Sequence, residues 1–327
     1  MSEAATTSPN AADLTFGPLS FGGANVGNLF RAIDDDEAHA LLEAAWDAGI
    51  RSFDTAPHYG LGLSERRMGA FLATKPRDEF ILSTKAGRLI VDNPGSAGGL
   101  DSANGFAVPD DAKRVWDFSA DGVRRSLDES LGRLGLDSVD ILYLHDPDEC
   151  DLERAIASGV PAAARLRDEG LVRAVGVGSK SVEALLAGIR TGALDLLMVA
   201  GRYTLLEQPA ATDVLPEAAE LGVGIVNAAV FNSGLLARRI PDASAHYEYG
   251  TVPDAVLDRA RAIARVCESY GVELPTAALQ FTLRTPVVRT VVVGAASAEQ
   301  LEQSVERMGA TIPEALWVDL REHELIP

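Results

Sequence analysis

Eight short apolar, β-rich runs recur along the chain, and helical patterns separate most of them. In order, the runs are "LSFGG", "RSFDTA", "FILSTK", "VDILYLH", "RAVGVG", "DLLMVAG", "VGIVNAAV" and "VVRTVVVGA". The stretches between them space their apolar residues as a helix does and end in glycine or a turn, as "DGVRRSLDESLGRLG" does. Strands that alternate with helices pair in parallel, and continuous apolar strands are typical of a sheet buried on both faces. The sequence therefore predicts an α/β fold, a single (β/α)8 TIM barrel.

The domain organisation follows from the length. A chain of 327 residues is long enough for one barrel, which takes about 250 residues or more. We expect the barrel to occupy residues 14–327, after a disordered tail over residues 1–13 that has neither the basic nor the apolar region of a secretory signal. The alternative, a doubly wound sheet, would need a Gly-x-Gly-x-x-Gly turn after an early strand, and "FGGANVGN" matches it poorly.

Charge and cysteine content narrow the functional classes. The formal net charge of −19 disfavours nucleic acid and anionic membrane surfaces as partners, because phosphates are bound by clustered cations. No stretch approaches the roughly 20 apolar residues of a membrane span. Cys150 and Cys267, the two cysteines, are far apart and predict reduced thiols in a cytoplasmic protein, with no metal-ligand spacing around either.

Two segments are longer than ordinary barrel loops. Residues 87–118 follow the third strand, and residues 237–253 follow the seventh. Loops of this length in a compact domain usually cover a site or move freely at the surface, and both interpretations stay open for each segment.

Four ionisable residues are predicted to lie at one mouth of the barrel. Asp54 ends the second strand, Lys85 the third and His145 the fourth, while Tyr59 follows in the loop behind Asp54. Chemistry in such barrels is located at the carboxyl ends of the strands. Alone, each residue has a plain structural explanation, as a helix cap, a solvated lysine, a core histidine or a packing tyrosine. Four of them at the same end of three consecutive strands indicate a catalytic group.

The residue types suggest proton transfer. A buried Lys85 paired with Asp54 stays cationic, and we expect its charge to lower the pKa of Tyr59 below the ordinary value near 10, so that Tyr59 acts as acid or base. His145 is suited to donate a hydrogen bond to a substrate oxygen. Since none of these groups supplies hydride, a redox reaction would need a cofactor.

Three stretches, "FDTAPHYGLGLSERRMG", "STKAGR" and "DILYLHDPD", closely resemble the signatures of the aldo-keto reductase superfamily. The resemblance implies that Asp54, Tyr59, Lys85 and His145 form that family's catalytic tetrad. Within the superfamily, "AGRYTLLEQ" and "VFNSGLL" are most similar to the branch that contains D-threo-aldose 1-dehydrogenase, L-fucose dehydrogenase and pyridoxal 4-dehydrogenase.

The resemblance also implies a nicotinamide cofactor. The eighth strand leads through Gly294 to a helix with Ser297 at its N-cap, and such a helix end binds phosphate; an ordinary capping box with Gln300 is the plainer alternative. "FNSGLL" resembles the loop that holds the pyrophosphate. The implied cofactor residues are Gly23, Ala24, Ser179, Lys180, Phe231, Asn232, Ser233, Gly234, Leu235, Gly294, Ala295, Ser297, Gln300 and Ser304.

This chain departs from the family pattern where the nicotinamide is held. Many members carry Ser-Asn after strand five and Gln after strand six, where this chain reads "VGVGSKS" and "LMVAGRY". Ser179 and Lys180 are the candidate replacements. A tyrosine that often stacks on the nicotinamide after strand seven is also missing, and Phe231 is the candidate for its place.

The candidate substrate contacts are His58, Trp116, Phe118 and Arg202, with an exposed loop position as the alternative for His58. For the nucleotide we expect NAD rather than NADP. A 2′-phosphate is usually met by arginine or lysine, and the segment from Ala295 has Glu299 and Glu302 but no cation before Arg307. NADP remains open if Lys180, Arg238 or Arg239 reaches the ribose.

The predicted function is NAD(P)-dependent hydride transfer on a carbonyl or alcohol. The resemblance to this branch implies the oxidative direction, in which a sugar or pyridoxal hemiacetal becomes a lactone. The alternatives are a general aldehyde reductase and a nucleotide-sensing module similar to potassium-channel β subunits. A Schiff base on Lys85 is a further alternative, which Asp54 argues against because it keeps the amine charged. The sequence leaves the substrate, the direction and the oligomeric state open.

Overall fold

The computed structural model describes residues 14–248 and 250–327, and the tail predicted over residues 1–13 lies outside them. The strands in chain order are β1 (Leu19–Gly22), β2 (Ser52–Asp54), β3 (Ile81–Ala86), β4 (Arg88–Asp92), β5 (Ala112–Trp116), β6 (Ile141–His145), β7 (Ala174–Ser179), β8 (Leu196–Ala200), β9 (Gly224–Ala228), β10 (His246–Tyr247), β11 (Gly250–Thr251) and β12 (Val288–Val293). The helices are α1 (Asp35–Asp47), α2 (Leu63–Leu72), α3 (Ala120–Leu134), α4 (Leu152–Asp168), α5 (Val182–Ile189), α6 (Val214–Leu221), α7 (Asp254–Ser269), α8 (Leu274–Phe281), α9 (Ala298–Gly309) and α10 (Glu314–Glu322).

Eight of these strands close into a parallel barrel in the order β1-β12-β9-β8-β7-β6-β3-β2, with β2 returning to β1. All eight apolar runs of the sequence form barrel strands, and the prediction of a (β/α)8 barrel is confirmed. Within the described ranges, no helix is both long and apolar enough to span a membrane.

The barrel interior is filled mainly by apolar side chains. Tyr143 and Met198 fill the inside together with smaller aliphatic side chains. Gly176 is required opposite Tyr143, because a Cβ there would lie 2.7 Å from the tyrosine ring. The polar side chains within it pair with one another, as Ser20 Oγ does with Ser52 Oγ at 2.8 Å and with Thr290 Oγ1 at 2.9 Å. The ionisable side chains of Asp54, Lys85 and His145 lie instead toward the carboxyl ends of their strands, at the mouth.

The long segment after β3 is an ordered hairpin with an excursion at its tip. Strands β4 and β5 pair antiparallel, with Arg88 opposite Trp116. The excursion is attached to the loop after β1, since Phe30 N donates to Gly105 O at 2.8 Å and Ala107 N donates to Asn28 O at 2.9 Å. Backbone hydrogen bonds therefore hold this segment against the barrel.

The segment after β9 contains the short hairpin of β10 and β11. Tyr247 donates a hydrogen bond to Glu207 Oε1 at 2.6 Å. Glu248 accepts from Arg202 at 2.9 Å and lies 3.5 Å from Lys180 Nζ. These contacts connect the hairpin to the loops that follow β7 and β8.

Candidate active site

The base of the site is a buried ion pair. Lys85 Nζ donates to Asp54 Oδ2 at 2.6 Å and to Thr55 O at 2.9 Å, while Asp54 Oδ1 accepts from Ser83 Oγ at 2.7 Å. Burial alone would lower the pKa of Lys85, but Asp54 and Tyr59 raise it above its ordinary value. The lysine is therefore a fixed cation, as the sequence predicts.

Tyr59 lies directly over this cation. Lys85 Nζ is 4.6 Å from the centroid of the tyrosine ring. Burial raises the pKa of Tyr59 to about 12, with Lys85 opposing the rise. The expectation that Lys85 brings this pKa below 10 is wrong for the present structure, because desolvation of the phenolate outweighs the attraction of the cation. Tyr59 holds its proton at neutral pH.

Two histidines complete the mouth. The ring centroid of His145 lies 6.0 Å from that of Tyr59 and 5.6 Å from that of His58. Burial, then Arg88, lowers the pKa of His145 well below its ordinary value and that of His58 to about 2. Both rings are neutral hydrogen-bonding groups. The alternative of an exposed loop position for His58 is wrong, because its ring is packed edge-on against Phe106 at 5.3 Å.

Arg88 joins these groups and was missed by the sequence reasoning. Its Nη1 lies 3.2 Å from His58 Nδ1, and its Nη2 donates to Asp146 Oδ2 at 2.5 Å and to Glu149 Oε2 at 3.1 Å. Asp146 Oδ2 is also 3.3 Å from His145 Nε2. The signal for Arg88 in the sequence was its position in the stretch "STKAGR", three residues after Lys85.

The apolar wall beside Tyr59 is formed by Phe106, another residue that the sequence reasoning missed. Phe106 is 3 % exposed and lies 6.3 Å from the Tyr59 ring between centroids, in a cluster with Leu61 and Val108. Of the two aromatic residues predicted instead, Phe118 is buried in the main core and Trp116 stacks on it at 5.8 Å. Trp116 does contact the site indirectly, because Arg88 lies 4.4 Å from its ring centroid.

The loop after β9 has a conformation suited to a polar ligand. Ala229, Asn232 and Ser233 adopt left-handed backbone angles, with φ of 56°, 47° and 57°. Asn232 Oδ1 is buried without a hydrogen-bond partner among the described residues, while its Nδ2 donates to Glu207 at 3.1 Å. Phe231 and Gly234 are half-buried, Leu235 is buried, and Ser233 is exposed. An orphaned amide oxygen beside an exposed serine fits a loop that binds a cofactor.

The turn between β12 and α9 contains the expected helix cap. Ser297 Oγ accepts from Gln300 N at 3.3 Å, and Gln300 Oε1 accepts from Ala296 N at 2.9 Å. Gly294 is exposed, whereas Ala295 and Ser304 are buried. Ser304 Oγ donates to Gln300 O at 3.0 Å. Ser297 therefore caps the helix, and phosphate binding at this helix end stays a prediction.

Arg31 brings a positive charge to this turn from the loop after β1. Its Nη2 donates to Ala296 O at 3.1 Å, and its Nη1 lies 3.2 Å from Glu37 Oε1. The segment itself has no cation before Arg307, and the cation that reaches it from another loop is Arg31. Of the three cations considered earlier, Lys180 lies near Glu248, Arg238 pairs with Asp242 and Arg239 pairs with Glu268.

The remaining predicted residues surround the same mouth. Gly23 N donates to Asp54 O at 2.8 Å, and a Cβ at Gly23 would lie 2.7 Å from Ser64 Oγ, so this backbone passes close to the tetrad; Ala24 follows it. Ser179 Oγ donates to Asp148 Oδ1 at 2.6 Å. Arg202 Nε donates to Lys180 O at 2.7 Å. Among the described residues, no group of three side chains is arranged to hold a metal ion.

A parallel barrel with a buried Lys–Asp pair, a tyrosine and a neutral histidine at its mouth defines an enzyme built to move a proton at a substrate oxygen. The profile of the Aldo/keto reductase family matches residues 18–324, and the chain belongs to this family of oxidoreductases. The chain is 58% identical over 318 residues to D-threo-aldose 1-dehydrogenase from Pseudomonas sp, with 97% of each chain covered.

Two further comparisons agree with this assignment. Pyridoxal 4-dehydrogenase from Microbacterium luteolum is 35% identical over 335 residues, which cover 96% of this chain and 95% of the relative. Among solved structures, aldo-keto reductase AKR11C1 from Bacillus halodurans in its holo form superposes with a TM-score of 0.75 at 23% identity, with 96% of this chain and 94% of that chain covered. The structural likeness supports the fold.

Proposed function

We propose that this protein oxidises the ring hemiacetal of an aldose to a lactone with NAD. The observation that carries the proposal is the tetrad geometry, in which Lys85 Nζ lies 2.6 Å from Asp54 Oδ2 and 4.6 Å from the centroid of the Tyr59 ring. The 58% identity to D-threo-aldose 1-dehydrogenase supports the substrate class. The 35% relative, pyridoxal 4-dehydrogenase, makes pyridoxal the second candidate substrate.

The side chains of the tetrad divide the work at the substrate oxygen. Tyr59, as phenolate, takes the proton from the C1 hydroxyl, and Lys85 stabilises the phenolate. His145 donates a hydrogen bond to the same oxygen as it becomes the lactone carbonyl. When bound, NAD supplies the acceptor for the hydride that leaves C1. The lost proton and hydride together account for the two-electron oxidation.

The polar groups around Tyr59 suit a sugar. His58 is neutral and half-buried, so it can both donate and accept hydrogen bonds with neutral hydroxyls. Phe106, which lies beside the Tyr59 ring, offers an apolar surface to the C–H face of a sugar ring. We assign His58 as a substrate contact, and we assign Trp116, Phe118 and Arg202 to supporting the surrounding loops rather than to direct contact.

The cofactor would be held by loops other than those that carry the proposed substrate contacts. Ser233, Asn232 and the backbone near Gly234 are the proposed pyrophosphate contacts, and the α9 helix end with Ser297 is the proposed phosphate and adenosine end. Ser179 and Lys180 remain the proposed carboxamide contacts, with Phe231 beside the nicotinamide. The two glutamates that follow Ser297, Glu299 and Glu302, support NAD over NADP because they would repel a 2′-phosphate.

The cellular setting is part of the same proposal. Cys150 is exposed and Cys267 is buried, and both are free thiols, which fits a reducing cytoplasm. The net charge of −19 supports a small neutral substrate rather than nucleic acid.

A substrate and cofactor screen tests the proposal. Purified protein is assayed at pH 9 with NAD or NADP against L-fucose, other aldoses, pyridoxal and aromatic alcohols, with product identified as lactone by mass spectrometry. It is also assayed with NADH or NADPH against open-chain aldehydes, and nucleotide binding is measured by protein fluorescence. Lactone from an aldose with NAD is the expected result. Reduction of open-chain aldehydes without any aldose oxidation would favour a general aldehyde reductase. Nucleotide binding without turnover on any substrate would favour the sensing module.

A further inference from the structure

Asp146 occupies an unusual position between two functional side chains. It directly follows His145 at the end of β6 and adopts a left-handed backbone with φ of 44°. This turn brings its Oδ2 to 3.3 Å from Nε2 of the preceding histidine and to 2.5 Å from Arg88 Nη2. Arg88 is itself buried at 6 % exposure, so the carboxylate is fixed in place by a charge-assisted hydrogen bond.

The two ring nitrogens of His145 have different surroundings. Nδ1 is fully buried and has no hydrogen-bond partner among the described residues. An enclosed nitrogen cannot reach a substrate, so only Nε2 can present a proton to one. Since burial and then Arg88 lower the pKa of His145 well below its ordinary value, the ring carries a single proton at neutral pH.

The location of that proton is set by Asp146. Nδ1 lacks a partner in either tautomer, so it does not discriminate between them. Asp146 Oδ2 lies 3.3 Å from Nε2, so its negative charge attracts an N–H proton at that position and repels a lone pair there. The Nε2–H tautomer is therefore the one that the surroundings stabilise.

We propose that Asp146, held by Arg88, is a positioning residue that keeps the proton of His145 on Nε2, where it can be donated to the substrate oxygen. The donation to substrate rests on the proposed function, whereas the tautomer does not. Asp146 acts through His145 and is not assigned any contact with substrate.

The tautomer is measured directly by 15N NMR of the histidine rings. The chain has five histidines, so a His145→Asn variant identifies the signal of interest. In the wild type without substrate, we expect a protonated Nε2 and a pyridine-like Nδ1. A protonated Nδ1 would overturn the proposal. This readout does not depend on turnover, so it separates failure of the inference from failure of the proposed aldose oxidation.

Two substitutions at Asp146 give a graded test that the backbone tolerates, because asparagine and glycine both adopt positive φ. Asp146→Asn keeps a neutral acceptor and Asp146→Gly removes it, so the Nε2–H population should fall from wild type to Asn to Gly. With turnover established, kcat should fall about tenfold to a hundredfold in the Gly variant, while the Kd for nucleotide stays unchanged. An unchanged tautomer in the Gly variant would overturn the role of Asp146.

Glu149→Gln is the matched control. Glu149 Oε2 accepts from the same Arg88 Nη2 at 3.1 Å, but its side chain is 54 % exposed. The Gln variant removes a carboxylate from Arg88 without touching Asp146, so we expect the wild-type tautomer and kcat. A shift as large as that of the Gly variant would mean that Arg88 alone governs the histidine, contrary to the proposal.

Discussion

Lys85 Nζ lies 2.6 Å from Asp54 Oδ2, and the two side chains are 2 % and 6 % exposed. Removing one partner of a buried pair leaves an uncompensated charge, which typically costs about 3–5 kcal/mol, whereas replacing both with apolar residues costs much less. The pair therefore ties the stability of the barrel to the residues of its active site.

The first prediction concerns this coupling. Asp54→Leu should lower the free energy of unfolding by about 3 kcal/mol, because Lys85 is left as a buried cation. Adding Lys85→Met to that variant should restore much of the loss. Urea denaturation of the three proteins measures the effect. As a control, Glu169→Gln, which breaks the exposed pair with Arg124, should change stability by at most about 1 kcal/mol. A double variant less stable than Asp54→Leu would contradict the prediction.

The second prediction concerns turnover. Tyr59→Phe removes the hydroxyl that exchanges the proton, so kcat should fall to background while the Kd for nucleotide, measured by protein fluorescence, changes little. In the wild type, kcat for oxidation should rise with pH toward alkaline values, because burial raises the pKa of Tyr59 to about 12 and the phenolate is the required form. Tyr270→Phe, at the distant contact with Asp319, is the control. Near wild-type turnover in Tyr59→Phe would mean that another group moves the proton.

The third prediction concerns acid stability. Burial, with Arg88 and Arg114, lowers the pKa of His58 from 6.5 to about 2. Below pH 6.5 the unfolded chain takes up a proton at this residue that the folded chain does not. The contribution of His58 to the free energy of unfolding is therefore complete above pH 6.5 and is lost as pH falls toward 2. At pH 4.5, two units below 6.5, the loss is about 3 kcal/mol.

The experiment compares urea denaturation at pH 7 and pH 4.5. His58→Asn should reduce the difference between the two free energies of unfolding by about 3 kcal/mol. His39→Asn, at a side chain that is 59 % exposed, should leave the difference as in the wild type. Asp146, whose pKa burial raises to about 6, acts in the opposite sense over part of this range, but equally in all three proteins. An unchanged difference in His58→Asn would show that His58 charges freely in the folded state.

The barrel and the four tetrad positions could be predicted from sequence because strand ends are local signals. Asp54 and His145 each end a β-rich run, and the barrel brings such ends together. Phe106 and Arg31 were missed because each reaches the site through a loop whose path depends on distant contacts, such as the bond between Ala107 N and Asn28 O. Arg88 was missed because it begins β4, and its place at the site depends on the pairing of that strand with β5.

Two further misses have a different physical cause. The direction of the Tyr59 pKa shift depends on how completely the phenol is desolvated, and no sequence pattern reports that. Phe118 enters the main core, because the path of the chain after the β4–β5 hairpin turns it away from the mouth, whereas a substrate contact of the half-buried Trp116 stays a prediction. Residue type alone could not distinguish Phe106 from them.

The fourth prediction separates these aromatic residues. Phe106→Ala removes the apolar wall next to Tyr59 and should raise the KM for substrate at least about tenfold, with little change in KM for nucleotide. Phe118→Ala should instead lower the free energy of unfolding by about 3 kcal/mol, since it leaves a core cavity. Shortening the segment between Asp92 and Asp110 should reproduce the effect of Phe106→Ala. Equal changes in both KM values would argue against a role of this segment at the substrate.

The last prediction concerns the choice of nucleotide. Arg31 is 55 % exposed, donates to Ala296 O at 3.1 Å and pairs with Glu37 at 3.2 Å. Glu37 therefore partly neutralises its charge beside the turn that is proposed to hold adenosine. We expect a higher kcat/KM with NAD than with NADP, because Glu299 and Glu302 flank the same helix end and repel a 2′-phosphate.

Two substitutions at this ion pair should act in opposite directions. Arg31→Ala should lower kcat/KM with NADP about fivefold, roughly the 1 kcal/mol of an exposed charge contact, and change it little with NAD. Glu37→Gln keeps an amide that can still accept from Asp34 N, as Glu37 does at 3.3 Å, yet it releases Arg31 and should raise kcat/KM with NADP. Arg238→Ala, which breaks the pair with Asp242 in another loop, should change neither value. If the wild type prefers NADP and Arg31→Ala abolishes that preference, Arg31 binds the 2′-phosphate and the expectation of NAD is wrong. If Arg31→Ala lowers kcat/KM equally with both nucleotides, Arg31 acts by holding the turn itself.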